Sequence, residues 1–150
     1  MDRPEPLTEI TGASITMRRL VAWHETDAAG HNHFSAAFRW MEEAEHRLYR
    51  RLGIGTTMVD VIPRVHIEVD YRDRLFFGEA IDVTVGVISV GRSSARFAFG
   101  VRSERGEAIA GSYVIVHAAG TTQGSAPWPD AVRAALEAPG GHRVDLVDGV

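Results

Sequence analysis

Hydrophobic residues recur along this chain with two different periods, and the change of period divides it into elements. From Ser35 to Leu52, "SAAFRWMEEAEHRLYRRL", apolar positions repeat at helical spacing. Phe34, Phe38, Met41, Leu48 and Leu52 share a face, with Ala37 and Ala44 beside them. Ser35 stands where a helix is capped, glutamates precede arginines, and Gly53 can end the run. The spacing predicts one long helix of about 26 Å, at a rise of ~1.5 Å per residue.

Beyond the loop "GIGTTMVD" the period falls to two. Val65, Ile67, Val69 and Tyr71 alternate with Arg64, His66, Glu68, Asp70 and Arg72. Ile81, Val83, Val85 and Val87 alternate likewise, as do Ala95, Phe97, Phe99 and Val101. "AIAGSYVIVHAA" is apolar on both faces, the mark of a central strand. The turns "FFGEA", "SVGRSS" and "SERGEA" fall between these runs at hairpin spacing. Ahead of the helix, "SITMRRLVAW", Ser14 to Trp23, reads as a first strand with imperfect alternation. The order is strand, long helix, then about four strands that can pair antiparallel. This predicts an α+β domain, with one helix packed on a curled antiparallel sheet of about five strands. The core spans residues 14–119. Residues 1–13 form a polar, loosely held lead-in. Residues 120–150 form a polar tail with a short helix, "PDAVRAALEA", entered through Pro129, and a mobile end, "PGGHRVDLVDGV".

Composition narrows the function. A chain of 150 residues, 45% hydrophobic and 24% charged, suits a single globular domain. The net charge of −4 gives no basic face for nucleic acid. All 16 basic residues counted as Lys or Arg are Arg, a compositional bias rather than a functional signal. The absence of Cys removes disulfides, thiolate nucleophiles and Cys-ligated zinc. "MDRPEPLTEI" lacks the apolar run of a secretory signal, and no stretch reaches the ~18–20 apolar residues of a membrane span. The expectation is a soluble cytoplasmic protein with no membrane partner.

Candidate chemistry gathers in "HETDAAGHNHF", residues 24–34. His31-Asn32-His33 with His24 and Asp27 invites a metal. A stable site needs further ligands held in geometry, and the Glu, Gly and His that would complete a cupin-type pattern do not follow, so no metal is expected. No G-x-S-x-G occurs, and the Ser of "AGSYV" lies within a predicted central strand, a poor place for a nucleophile. Asp27 precedes the helix by about eight residues, followed by Ala28-Ala29-Gly30, which let another molecule approach the backbone. The N–H groups of a helix's first turn face such a ligand, so acid and oxyanion donors can lie together. An acid that only solvates a turn is the competing reading.

Two local patterns resemble the hot-dog fold thioesterases, in particular the hydroxybenzoyl-CoA thioesterase family. "TDAAGHNHFSAAFRWMEEA" is similar to that family's D-x-x-G signature leading into the central helix. "RDRLFFGEAIDVTVGVISVGRSSARFAF" is similar to its L-x-x-G-(D/E) turn and G-x-(S/T)-S hairpin. The resemblance covers roughly Ser14 to Ala119. It implies a hot-dog fold, subunits paired edge to edge as a homodimer or dimer of dimers (a homotetramer), and sites at the dimer interface. It implies hydrolysis of an aliphatic or aromatic acyl-CoA thioester to the free acid and CoA, with no cofactor beyond the coenzyme A of the substrate. On it, Asp27 matches the catalytic carboxylate, as nucleophile or general base, and the Phe34 backbone N–H matches the oxyanion donor. Arg92, with Ser93 and Ser94 of the same hairpin, falls where CoA is held.

Other members often carry Tyr, His or Asn at the position of Phe34, so His33 is a candidate for the missing polar contact. His31 either orients Asp27 or water, or stabilises the loop. Glu45 stands where members often have Arg, within the apolar face of the predicted helix. An acid there either pairs with an arginine or histidine of the sheet or supplies a second carboxylate to the acyl pocket. Arg72, Arg74 and Arg92 form a phosphate-binding rim if their loops converge. Two other functions remain open: a thioesterase for an acyl chain on an acyl carrier protein, and a non-catalytic acyl binder.

Overall fold

The computed structural model describes residues 5–58, 62–118 and 124–147. The segments of period two are strands: β2 (Arg64–Tyr71), β3 (Ala80–Val90), β4 (Ser94–Ser103) and β5 (Gly106–Val116). They are preceded by β1 (Ala13–Leu20) and the long helix α1 (Ala36–Arg51), then a short turn of helix, α2 (Gly55–Met58). They are followed by α3 (Asp130–Glu137) and β6 (Gly140–Asp145). The sheet order is β2-β5-β4-β3-β1-β6. All neighbours are antiparallel except β1 and β6, which run parallel. The fold class is α+β as expected, with α1 packed across β1 and β3.

The sheet has six strands rather than about five. The sixth lies in the stretch expected to be mobile. "GGHRVD" is short, polar and mostly exposed, so it carries no apolar signal. Its order comes from pairing with the edge of β1, from Ala13↔Gly140 to Arg18↔Asp145. The lead-in is also held. Leu7 sits where a Cβ on Gly100 would meet its Cδ1 at 2.6 Å, and Ile10 covers Gly86 at 2.5 Å in the same way. These two glycines let the N-terminal segment lie flat on the outer face of the sheet. The expected domain boundary at Ala119–Gly120 falls outside the described residues.

Helix α1 buries a face rotated from the one its apolar periodicity predicts. Ala37, Met41, Ala44 and Leu48 are buried as expected, but Trp40 and Tyr49 join them with essentially no exposure. Phe38 and Leu52 are only partly buried, and Phe34 is 62% exposed. The rotation follows from polar tips that find buried partners. Trp40 Nε1 donates to Glu25, fifteen residues back along the chain, and the Tyr49 hydroxyl donates to Glu45, one turn back on the helix. Against this face pack Ile15 and Met17 of β1, Val83 and Val85 of β3, and Phe97 and Phe99 of β4. Strand β2 is the exception. It lies at an edge of the sheet, and Val65, Ile67 and Tyr71 stay 60%, 39% and 42% exposed.

Candidate active site

The first strand ends at Leu20, three residues short of its expected end, because Trp23–Glu25 turn into a single 3-10 turn. Glu25 drives that turn. Its carboxylate is 5% exposed and accepts from the Ala22 N–H at 2.8 Å, from Arg19 at 2.7 Å and from Trp40 Nε1 at 2.8 Å. Arg19 also reaches Glu43 on α1 at 2.9 Å. One buried acid therefore joins β1, the loop and the helix.

From Glu25 the chain makes a tight hairpin. The His33 N–H donates to Glu25 O at 2.8 Å, Thr26 bridges Asn32, and the Asp27 N–H donates to His31 O at 2.9 Å. Gly30 closes it with φ +87, a left-handed conformation that a side chain would oppose. Asp27 stands at the tip. One carboxylate oxygen accepts the Ala29 N–H at 2.9 Å, and the other lies 3.9 Å from His31 Nδ1. His31 Nδ1 is closer to the Asn32 carbonyl, at 3.2 Å. The hairpin is then locked to the β2–β3 loop. Asn32 is 6% exposed, its N–H donates to Leu75 O at 2.7 Å, and its Oδ1 accepts the Leu75 N–H at 3.0 Å.

The expected cap at Ser35 does not form. Its hydroxyl makes no capping bond and instead lies 2.8 Å from His33 Nδ1, which also accepts the Ser35 N–H at 3.2 Å. The Ala36 N–H bonds the His33 carbonyl at 2.9 Å. The Phe34 N–H is left without a partner among the described residues. The Phe34 carbonyl is held by the Tyr71 hydroxyl of β2 at 2.6 Å. Burial pushes the Tyr71 phenol up, so it stays protonated and donates.

Asp27, His31, His33 and Phe34 line one cleft of about 270 Å³, with Tyr71, Asp73 and Arg74 on its far side. A carboxylate and an unengaged N–H at the mouth of a helix can attack, or activate water toward, a carbonyl and hold the oxyanion that forms. Of the residues singled out from sequence, the cleft gathers these four and Arg74. It does not gather Arg72, which pairs with Glu107 at 2.6 Å. Nor does it gather Arg92, Ser93 and Ser94, whose hairpin packs against Trp128 through the Arg92 and Ser94 carbonyls.

Glu45 is wholly enclosed elsewhere. It pairs with Arg64 of β2 and accepts from the Tyr49 hydroxyl. Burial raises its carboxyl above the ordinary range, and the charge on Arg64 works the other way. The Tyr113 ring is buried against the same pair, with the Arg64 guanidinium 5.3 Å from its centre.

Sequence reasoning passed over Glu25, Asn32, Tyr71 and Arg105. Asn32 and Tyr71 had a signal, the first as the only amide in the site loop and the second as the end of an alternating run. Arg105, in the β4–β5 turn, bonds Asp73 at 3.1 Å, Glu79 at 2.6 Å and the Arg74 carbonyl at 2.6 Å. The Arg74 N–H and then Arg105 hold the Asp73 carboxyl below its usual range, Arg105 does the same to Glu79, and Arg105 is itself pushed upward.

Known proteins resemble this chain in sequence and fold. The profile of the thioesterase-like superfamily matches residues 21–136. A 1,4-dihydroxy-2-naphthoyl-CoA hydrolase of Prochlorococcus marinus (strain NATL2A) is 32% identical over 117 residues, which is 69% of this chain and 73% of that protein. A 1,4-dihydroxy-2-naphthoyl-CoA thioesterase from Synechocystis superposes with a TM-score of 0.73 at 18% identity, over 82% of this chain and 95% of that one. A thioesterase from Thermus thermophilus, solved with coenzyme A and Zn, superposes with a TM-score of 0.73 at 27% identity, over 82% and 97% of the two chains. The chain belongs to the thioesterase-like superfamily, and it is a thioester hydrolase built on the hot-dog fold.

Proposed function

We propose that this chain hydrolyses an aromatic acyl-CoA thioester at the cleft that holds Asp27. The observation that carries this is the meeting of the Asp27 carboxylate and the unengaged Phe34 N–H in one cleft walled by the rings of Phe34 and Tyr71. At about 270 Å³ the cleft of one subunit falls just below the ~300–1,000 Å³ common for ligand pockets, and suits a flat ring better than a long chain. The name of the Prochlorococcus relative makes 1,4-dihydroxy-2-naphthoyl-CoA the first substrate to try. Asp27 attacks the thioester carbonyl or takes a proton from the water that does, and the Phe34 N–H receives the oxyanion. Collapse breaks the C–S bond and expels the thiolate; water attack gives the free acid directly, whereas attack by Asp27 gives a mixed anhydride that water then hydrolyses to free the acid and the carboxylate. The thiol of CoA, with a pKa near the ~8.5 of cysteine, leaves without a strong acid beside it. Arg92, Ser93 and Ser94 lie outside the cleft, and in this proposal they meet only the nucleotide end of the CoA, beyond the reach of the extended pantetheine arm.

The working unit in this proposal is a homodimer joined along β2. That strand presents unpaired backbone and three half-bare apolar side chains at the sheet edge, a surface that monomers normally blunt with charge or cover. His66, Glu68 and Asp70 lie on the same strand and can fix the register of pairing.

The test is thiol release from aromatic, short-chain and long-chain acyl-CoAs, comparing the protein with Asp27→Asn. With no Cys, the chain adds no thiol background. Turnover of an aromatic ester that disappears in the folded variant supports the proposal. Turnover that survives removes Asp27 from the mechanism. Failure on every CoA ester, with release from an acylated carrier protein, moves the substrate to that carrier.

A further inference from the structure

Phe34 stands between the Asp27 hairpin and α1, and the backbone of neither holds it. The hairpin is tied off at His33, whose N–H donates to Glu25 O at 2.8 Å, and the helix starts at Ala36. In a continuous α-helix the Phe34 carbonyl would accept the N–H four residues on, that of Phe38. Here the Phe38 N–H donates instead to Ser35 O at 3.2 Å, and the Ala36 N–H to His33 O at 2.9 Å. The Phe34 side chain is 62% exposed, so packing restrains it little.

Among the described residues one hydrogen bond reaches the main chain of Phe34, from the Tyr71 hydroxyl to its carbonyl at 2.6 Å. Tyr71 has a rigid base. It ends β2, paired with Ile109 of β5, and the following N–H, that of Arg72, donates to Ala108 O at 2.7 Å. Tyr71 and Phe34 both line the cleft of Asp27.

We propose that Tyr71 is a positioning residue for the hydrolysis: by holding the Phe34 carbonyl, it fixes the direction in which the Phe34 N–H faces the thioester oxygen. This rests on the assignment of that N–H to the oxyanion. Only φ and ψ of Phe34 join the two peptide planes that flank it, so a carbonyl tied to a strand restricts the rotation open to the N–H. A phenol has a single O–H to donate, and here the Phe34 carbonyl takes it. Tyr71 therefore acts through the main chain and leaves the oxyanion to the Phe34 N–H. Burial pushes its phenol up, so the hold persists across the neutral range.

Removing an oxyanion donor typically costs about 10²–10³ in rate, and misplacing a reacting group by ~1 Å about 10². Loosening the donor without removing it should therefore lower kcat roughly 10- to 100-fold. Tyr71 is 42% exposed, so without its hydroxyl water can bond the freed carbonyl but cannot aim it. Stability should then change little while turnover falls.

The experiment measures kcat and KM of the intact protein, Tyr71→Phe and Asp27→Asn on an acyl-CoA ester, and follows the Phe34 amide by NMR in the intact protein and Y71F. In Y71F the expected result is the fall in kcat with KM held within about twofold, the mark of an interaction made in the transition state alone. The Phe34 amide should lose order while the rest of the spectrum, and so the fold, is kept. An unchanged kcat overturns the proposal. So does a raised KM at constant kcat, which makes the hydroxyl a ground-state contact of the substrate. A fall in kcat with the order of the Phe34 amide unchanged also overturns it, because the hydroxyl then acts on the substrate directly. Turnover that survives Asp27→Asn, or that is absent from the intact protein, refutes the assignment of the cleft instead. The amide then decides: lost order in Y71F upholds the hold of Tyr71 on the Phe34 N–H, and unchanged order overturns it.

Discussion

Replacing Glu25 with Ala removes the acceptor on which three elements converge, and the structure sets the size of the effect. The side chain is 5% exposed and receives hydrogen bonds from Trp40 Nε1, the Ala22 N–H and Arg19. Trp40 is wholly buried, so its N–H would be left with nothing to bond, at about 1–3 kcal/mol. Ala22 is half-buried and water can replace part of its bond, while Arg19 keeps Glu43. The sum is about 3–4 kcal/mol, within the range for breaking a buried charged pair. For a chain of this size that corresponds to a fall in Tm of roughly 6–16 °C.

Denaturant unfolding of the protein, Glu25→Ala, Trp40→Phe and the double variant measures this directly. The cycle should return a coupling of about 1–3 kcal/mol between Glu25 and Trp40, because Trp40→Phe removes the donor that Glu25→Ala would strand. Glu25 also precedes the Asp27 hairpin and accepts the His33 N–H through its backbone. Displacing that hairpin by ~1 Å is expected to lower kcat about 10²-fold. A loss below about 1 kcal/mol, with no coupling to Trp40, would refute the view that this carboxylate ties loop to helix.

Three further outcomes follow from the same geometry. Gly30→Ala places a Cβ in open space but at φ +87, so it should cost about 1–2 kcal/mol of loop strain and lower turnover, read by unfolding and by kcat; an unaffected enzyme would mean the hairpin tolerates another turn. Burial raises the Glu45 carboxyl in the folded chain, so its contribution to stability is fully present below the ordinary value of 4.5 and is lost as pH rises through the raised one. Relative to Glu45→Gln, the protein should therefore lose stability as pH climbs above that point; a relative gain in unfolding titrations would contradict this. Asp73 is depressed by the Arg74 N–H and then by Arg105, and Glu79 by Arg105; their stabilising effect is present above their ordinary values and lost as pH falls through the depressed ones. Arg105→Ala should remove part of that acid sensitivity and lower turnover by loosening the loop that holds Asn32. Equal acid sensitivity in the two proteins would show that Arg105 does not set it.

The elements whose order comes from their own pattern were legible in the sequence. The 3.6-residue repeat located α1 to within a residue at each end, alternation located β2, β3 and β4, and a run apolar on both faces located β5. The Asp27 loop was legible because a D-x-x-G turn just ahead of a helix has a local cause, the left-handed Gly30. What escaped depends on partners that the apolar pattern does not register. Trp40 and Tyr49 fall outside the apolar face read from the spacing; Glu25 and Glu45 supply their buried acceptors, and the buried face of α1 is turned accordingly. Strand β6 has no apolar stripe and owes its order to the edge of β1. Glu25 is one acid in a polar loop, and only the meeting of Arg19 and Trp40 on it reveals its work.

The manner in which Asn32 grips Leu75 bears on how such enzymes diversify. Both hydrogen bonds fall on the main chain of Leu75, so the join places no demand on the neighbouring side chains at 74, 76 and 77. Phe76 and Phe77 are 43% and 63% exposed, and the head of Arg74 is unengaged among the described residues. On the proposed mechanism, the loop that carries Asp27 and the loop that faces it across the cleft are separate segments joined at the main chain of Leu75. Substitutions in the facing loop can therefore reshape the wall of the cleft while Asp27 and the Phe34 N–H keep their places, and selection can explore new substrates in single steps.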